Sequence, residues 1–168
     1  MAKVMSKYFW RGLIIFFSFV IYFLIVVVYG SPLHDFNLWI LKQHYPEVTQ
    51  YHPYDSILIA KKSYLGGPDE HGSQKCNYFV GEVRASWESK QQIEGYYADK
   101  YVSVRLPSLY KKVPVGVKFF DESWTMESPL GDWWGEFHEM AEGAPNNIYL
   151  VYLGIEGYPF LHDYRCDN

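Results

Sequence analysis

The strongest pattern in the chain is an uncharged, almost wholly apolar run over residues 13–29, Leu-Ile-Ile-Phe-Phe-Ser-Phe-Val-Ile-Tyr-Phe-Leu-Ile-Val-Val-Val-Tyr. Phe9 and Trp10 extend it at the start, interrupted only by Arg11 and Gly12. Its length approaches the ~20 residues a helix needs to cross a ~30 Å hydrocarbon core. No comparable run follows, so the pattern predicts one transmembrane helix ahead of one water-soluble domain.

Beyond the run the periodicity changes. Ser31 and Pro32 form a helix start, with Ser capping and Pro in the first turn. Leu33, Phe36, Trp39, Ile40 and Gln43 then keep helical spacing up to Tyr45 and Pro46. Residues 45–54, with two prolines, read as a linker. Ile57, Leu58, Ile59 and Ala60 predict a strand buried on both faces. Gly66, Gly67, Pro68, Asp69 and Gly72 mark a loop, and residues 75–84 predict the strand that completes a hairpin.

Ser89 and Gln92 have capping-box spacing ahead of Ile93, Tyr96, Tyr97 and Tyr101, so residues 89–100 predict an amphipathic helix. Val102, Val104 and Leu106 alternate with Ser103 and Arg105, the pattern of a strand with one wet face. Val113, Val115, Val117 and Phe119 alternate likewise, and Pro114 points to an edge strand. Ser128 and Pro129 repeat the Ser-Pro helix start. Trp133, Trp134, Phe137, Met140 and Ala141 make an apolar helical stripe ending at Gly143. Gly131 and Gly135 each weaken that helix by ~1 kcal/mol relative to Ala, so it depends on packing. Residues 148–155 are a long apolar strand expected at the centre of a sheet.

The expected fold class is α+β: a transmembrane helix followed by one small domain with a mainly antiparallel sheet of about five strands and two or three helices on one face. The expected organisation is a basic cytoplasmic N-terminus at 1–12, the span at 13–29, a juxtamembrane helix and linker at 30–54, and an exported α+β domain at 55–168.

Charge sets the orientation. Lys3, Lys7 and Arg11 precede the run, and no acidic residue lies before Asp35. Basic flanks stay in the cytoplasm, which sends the domain to the periplasmic or extracellular side. Val28, Tyr29 and Gly30 ahead of Ser31 loosely meet the rule for signal cleavage. The apolar stretch, however, exceeds the ~7–15 residues of a signal core and contains bulky aromatics, so retention as an anchor is the favoured reading. Of fifteen basic residues, twelve remain after the run against all nineteen acidic ones, a balance of −7 before histidines. That sign excludes a phosphate-binding nucleic-acid surface and opposes docking on anionic lipid. It permits a basic partner, cations or simple solubility, with solubility the favoured reading.

Cys76 and Cys166 are the only cysteines. In an exported chain they are expected to pair, closing a loop of about 90 residues worth ~4–5 kcal/mol on the chain-entropy model. With no C-x-x-C, a thiol-disulfide oxidoreductase is disfavoured. No metal site and no cofactor is expected.

The candidate chemistry is sparse. His138 stands four residues after Trp134 and four before Glu142, so the three share a helix face, with Glu136 and Glu139 near. Zinc-hydrolase spacing needs a second His where Glu142 stands, which favours a surface His–Glu pair. His44 and His52 converge with Asp55 on a cation only if the fold brings them together. His34, His71 and His162 carry no motif. Ser63 and Ser73 lack the setting of a nucleophile, and Gly66, Gly67 and Pro68 form no phosphate loop. Trp124, Trp133, Trp134 and His138 are the candidate binding surface, because one of the adjacent Trp133–Trp134 pair must turn away from the core.

Three readings of function follow, in this order. The first is a membrane-anchored envelope interaction or accessory module, immunity-like in one version, with an envelope protein as partner. The second is a carbohydrate- or small-ligand-binding domain using the Trp133/Trp134 helix. The third is an exported hydrolase centred on His138. The absence of catalytic spacing places an enzyme last.

Overall fold

A computed structural model of the chain describes residues 2–29, 32–66, 76–106, 109–120, 131–142, 144, 146–158 and 166. Helix α1 (Ala2–Tyr29) is the apolar segment, longer than the 13–29 run because Lys3 to Arg11 continue the same helix. Its window Tyr8–Ile25 is long and apolar enough to cross a membrane, and none of it is covered by the rest of the chain.

Helix α2 (Pro32–His44) leads directly into a 3-10 helix, Tyr45–Tyr51, where the sequence predicts a linker. Tyr45 and Val48 are the reason: both are buried, so this segment contributes to the core. Pro46 near its start suits a helical first turn. The strands are β1 (Ile57–Gly66), β2 (Cys76–Ser86), β3 (Tyr101–Leu106), β4 (Leu109–Phe119) and β5 (Asn147–Tyr158). Helix α3 (Lys90–Tyr97) separates β2 from β3, and α4 (Gly131–Ala141) separates β4 from β5. The α+β class stands, with one five-stranded antiparallel sheet in the order β1-β2-β5-β4-β3.

β5 is central, as its length and apolarity predict, and β3 shows the predicted alternation of exposed and buried positions. The capping box of α3 forms as spaced: Ser89 Oγ accepts from Gln92 N–H, and the Gln92 side chain accepts from Ser89 N–H. α3 ends at Tyr97, short of residue 100, where Asp99 takes a left-handed φ of 55°. Asp tolerates that region better than most residues, and the turn it makes lets Lys100 lead into β3.

Three expectations about the sheet are corrected. Residues 57–60 are not buried on both faces: β1 is an edge strand, with Ile57 62% and Leu58 42% exposed. A short apolar run carries no mark of edge or centre, and β2 and β5 take the doubly buried positions instead. β4 is not an edge strand, although it holds Pro114. Residues 109–114 pair with β3 and residues 115–119 with β5, so Pro114 sits where one partner hands over to the other. Finally, the helices do not share one face. Leu41, Tyr45, Val48, Ile93 and Tyr97 pack on Tyr78, Val113, Tyr149, Val151 and Leu153, whereas Trp133 and Phe137 of α4 pack on Phe79, Val83, Phe120 and Leu150. Adjacent residues of β2 and β5 point to opposite faces and are apolar on both, so each face needs its own cover.

The Cys76–Cys166 disulfide forms, with both residues buried and Cα atoms 5.0 Å apart. It joins residue 166 to the start of β2 across a sequence separation of 90. The loop 67–75, the Ser128–Pro129 helix start and Gly143 lie outside the described residues. Reducing the bond is expected to lower unfolding free energy by ~4–5 kcal/mol on the loop-entropy model, read as a urea midpoint shift of the full chain in detergent micelles with and without reductant. A shift under about 1 kcal/mol contradicts a structural role for this bridge.

Candidate functional site

Helix α4 divides the adjacent tryptophans as a helix on a sheet must. Trp133 is buried in the core beside Phe137, one turn later. Trp134 turns outward, half-buried, and its ring stacks on that of His138 four residues on, with centroids 4.0 Å apart and planes 20° from parallel. His138 Nδ1 donates to the carbonyl of Phe120 at 3.0 Å, which fixes the tautomer and holds the imidazole against the indole. Glu136 on the same helix pairs with Lys62 of β1, whose ammonium lies 5.2 Å from the Phe137 ring centre. Of the four candidate surface residues, the fold brings Trp134 and His138 together, commits Trp133 to the core, and leaves Trp124 outside the described residues. Glu142 shares the helix face but is exposed, linked to His138 through its backbone N–H.

A second constellation escapes a motif search. Glu82, buried in the middle of β2, faces α2, the 3-10 helix and α3. Its carboxylate receives Arg84 Nη1 at 2.6 Å, Lys61 Nζ at 3.2 Å and His52 Nε2 at 3.2 Å. Facing a carboxylate, His52 Nε2 carries the proton, so Nδ1 accepts from the Tyr97 hydroxyl at 2.8 Å. That Nε2 contact is close but poorly aligned as a hydrogen bond. Arg84 also donates to Ser56 Oγ and to the Ser56 carbonyl, each at 3.1 Å. The Tyr45 hydroxyl donates to the Val151 carbonyl at 3.1 Å.

Burial alone pushes the Glu82 carboxyl up. The polar contacts from His52, Arg84 and Lys61, with the Arg84 charge, outweigh it and hold the group at about 2. Burial pushes the Tyr45, Tyr97 and Tyr149 hydroxyls up, so they stay protonated donors at ordinary pH. A carboxylate held ionised by two cationic side chains and a histidine N–H is a poor proton carrier. It is a good clamp, because it ties β1 and β2 to His52, the residue that follows the 3-10 helix. A cleft of about 330 Å³ opens beside it, lined by Lys42, Tyr45, Lys61, Ser63 and Glu82. The sequence signal for the clamp is Glu82 and Arg84, two charges two residues apart on one face of an otherwise apolar strand.

The remaining histidines go to separate partners. His34 is fully buried: Nε2 donates toward Cys76 Sγ at 3.4 Å, and Nδ1 accepts from Tyr78, whose oxygen also receives Asn37 Nδ2 at 3.3 Å. This locks α2 to the strand that carries the disulfide. His44 pairs with Glu47 at 2.7 Å, and Asp55 accepts from Ser86 Oγ and Trp87 N–H at 2.9 Å each. The conditional cation trio of His44, His52 and Asp55 therefore does not assemble. Among the described residues no three His, Cys, Asp or Glu side chains are placed to share a metal ion. His71, His162 and Ser73 lie outside the described residues.

Compared with protein-family models, curated proteins and solved structures, the chain has no match.

The Glu82 clamp fixes a pH dependence. Its folded pKa lies below the ordinary carboxyl value of 4.5, so the stabilisation is complete above that value and is lost as pH falls toward about 2. Urea unfolding over this window is expected to lose roughly 3 kcal/mol more in the parent than in Glu82→Gln. Equal slopes in the two proteins contradict the clamp.

Proposed function

We propose that the chain is a membrane-anchored interaction module: α1 crosses the bilayer with its basic end in the cytoplasm, and the folded domain meets an envelope protein on the other side. The observation that carries this reading is the joining of an uncovered apolar helix to a domain closed by its own buried disulfide. The helix has no role in the core, which leaves anchoring as its physical use. The disulfide suits an oxidising compartment, and Lys3, Lys7 and Arg11 suit the cytoplasmic side.

The interaction role is supported by how the polar groups are used. Glu82, His52, His34 and Asp55 are each committed to bonds that brace the fold. The Trp134–His138 pair, half-buried on α4, brings an indole of the type enriched at protein contacts to the domain surface. The acidic balance of the domain favours a partner with a basic face. The same stacked rings support a second reading, a sugar-stacking platform. The hydrolase reading gains no support, because the His138 ring is held by Phe120 and Trp134 and, among the described residues, no acid is bonded to it.

Two experiments test this. A C-terminal alkaline phosphatase fusion is expected to be active and a C-terminal fluorescent-protein fusion dark; the reverse pattern contradicts the topology. A photo-crosslinking amino acid at residue 134 in intact cells is expected to give one reproducible protein adduct that Trp87, crosslinked in the same way, does not give. Adducts absent at residue 134, together with retention of peptidoglycan or glycan that Trp134→Ala reduces at least tenfold, favour the second reading.

A further inference from the structure

Helix α2 has two faces in use of opposite kinds. His34, Asn37 and Leu41 point into the domain and are buried, while Phe36 and Trp39 point away, 47% and 52% exposed. These two rings stack, with centroids 5.7 Å apart and planes 15° from parallel. The pair is preformed on a helix that hydrogen bonds and packing already fix to β2.

The tether decides what this face meets. Tyr29 ends α1 and Pro32 begins α2. Three peptide links separate them, so their Cα atoms lie within about 11 Å of each other in any conformation. Phe36 and Trp39 follow about 6 and 10 Å along the helix axis. A headgroup layer is roughly 5–8 Å thick on each side of the hydrocarbon core, so a helix lying along the membrane immediately after the span puts both rings within it. Trp is favoured in that layer, and Phe accompanies Trp on the apolar face of helices that lie in it. Asp35 and Lys42, both exposed on α2, are opposite in charge, so this helix needs no anionic lipid.

We infer that the outer face of α2, through Phe36 and Trp39, rests in the neutral headgroup layer of the membrane that α1 spans, and so fixes the tilt of the domain on its anchor. The inference rests on the proposal that α1 crosses the bilayer. It adds that the domain is held down on the surface instead of swinging on a two-residue tether.

The test uses the full chain in phosphatidylcholine nanodiscs, with lipids brominated at a shallow or a deep acyl position as fluorescence quenchers. Parent, Trp39→Phe and Trp10→Phe proteins are compared, each with its disulfide intact on a non-reducing gel. The expected result is that Trp39→Phe loses a component of fluorescence that shallow bromines quench more than deep ones. If Trp10→Phe loses such a component and Trp39→Phe does not, the anchor reading stands and the α2 inference is overturned. A protein partner or a second copy on this face gives that same pattern. If neither variant loses a lipid-quenched component, α1 is not in the bilayer and both readings fall.

Discussion

Eighteen residues of α1, Tyr8–Ile25, carry a mean hydropathy of 1.9, and the rest of the chain covers none of them. Removing such a surface from water is the largest single demand the chain makes on its surroundings. At about 0.3–0.6 kcal/mol per Leu, Ile, Phe or Val, roughly a dozen such side chains make insertion worth ~4–7 kcal/mol. Because α1 lends nothing to the domain core, the other elements have to close their own core. In the proposed arrangement the bilayer satisfies α1, and the domain is self-sufficient beside it.

The domain meets this by making the sheet two-sided. β2 and β5 carry apolar residues at successive positions, and the α2, 3-10 and α3 layer covers one face while α4 covers the other. Aromatic rings fill the places where strands have no side chain: Tyr152 lies over Gly116 and Phe79 over Gly154, close enough that a Cβ at either glycine would meet a ring carbon at 2.4 Å and 2.6 Å. The first face also holds the polar clamp of Glu82, Arg84 and His52. Such a cluster tolerates burial only when its charges are paired, so losing one partner would leave charge stranded between β2 and the residue that follows the 3-10 helix. Near the start of β2, His34 and Asn37 bring α2 to Tyr78 and the disulfide.

Local signals were legible. The Ser89–Gln92 capping box, the alternation over Val102, Val104 and Leu106, the central strand at 148–155 and the cysteine pair all appear where residue type and spacing put them. Each depends on the chemistry of a few neighbours. What was not legible depends on which element lies across the core. Ile57 to Ala60 has the same apolarity as a central strand, and only the placement of β2 beside β5 makes β1 an edge. Pro114 marks a missing N–H correctly, yet the handover of β4 between two partners satisfies it without an edge. The turning of Trp134 toward His138 follows from helix geometry, whereas the bond to the Phe120 carbonyl joins segments 18 residues apart. The Glu82 clamp likewise draws on residues from β1, β2, α3 and the turn before β1, which no sequence window contains.

The central claim is that α1 stays on the mature chain and lies in lipid. Alkaline carbonate extraction of native membranes, followed by intact-mass measurement of the recovered protein, tests it most directly. The account predicts a pellet-retained, detergent-released chain whose mass includes residues 2–29. A carbonate-soluble protein, or one whose mass begins at or after Gly30, contradicts it.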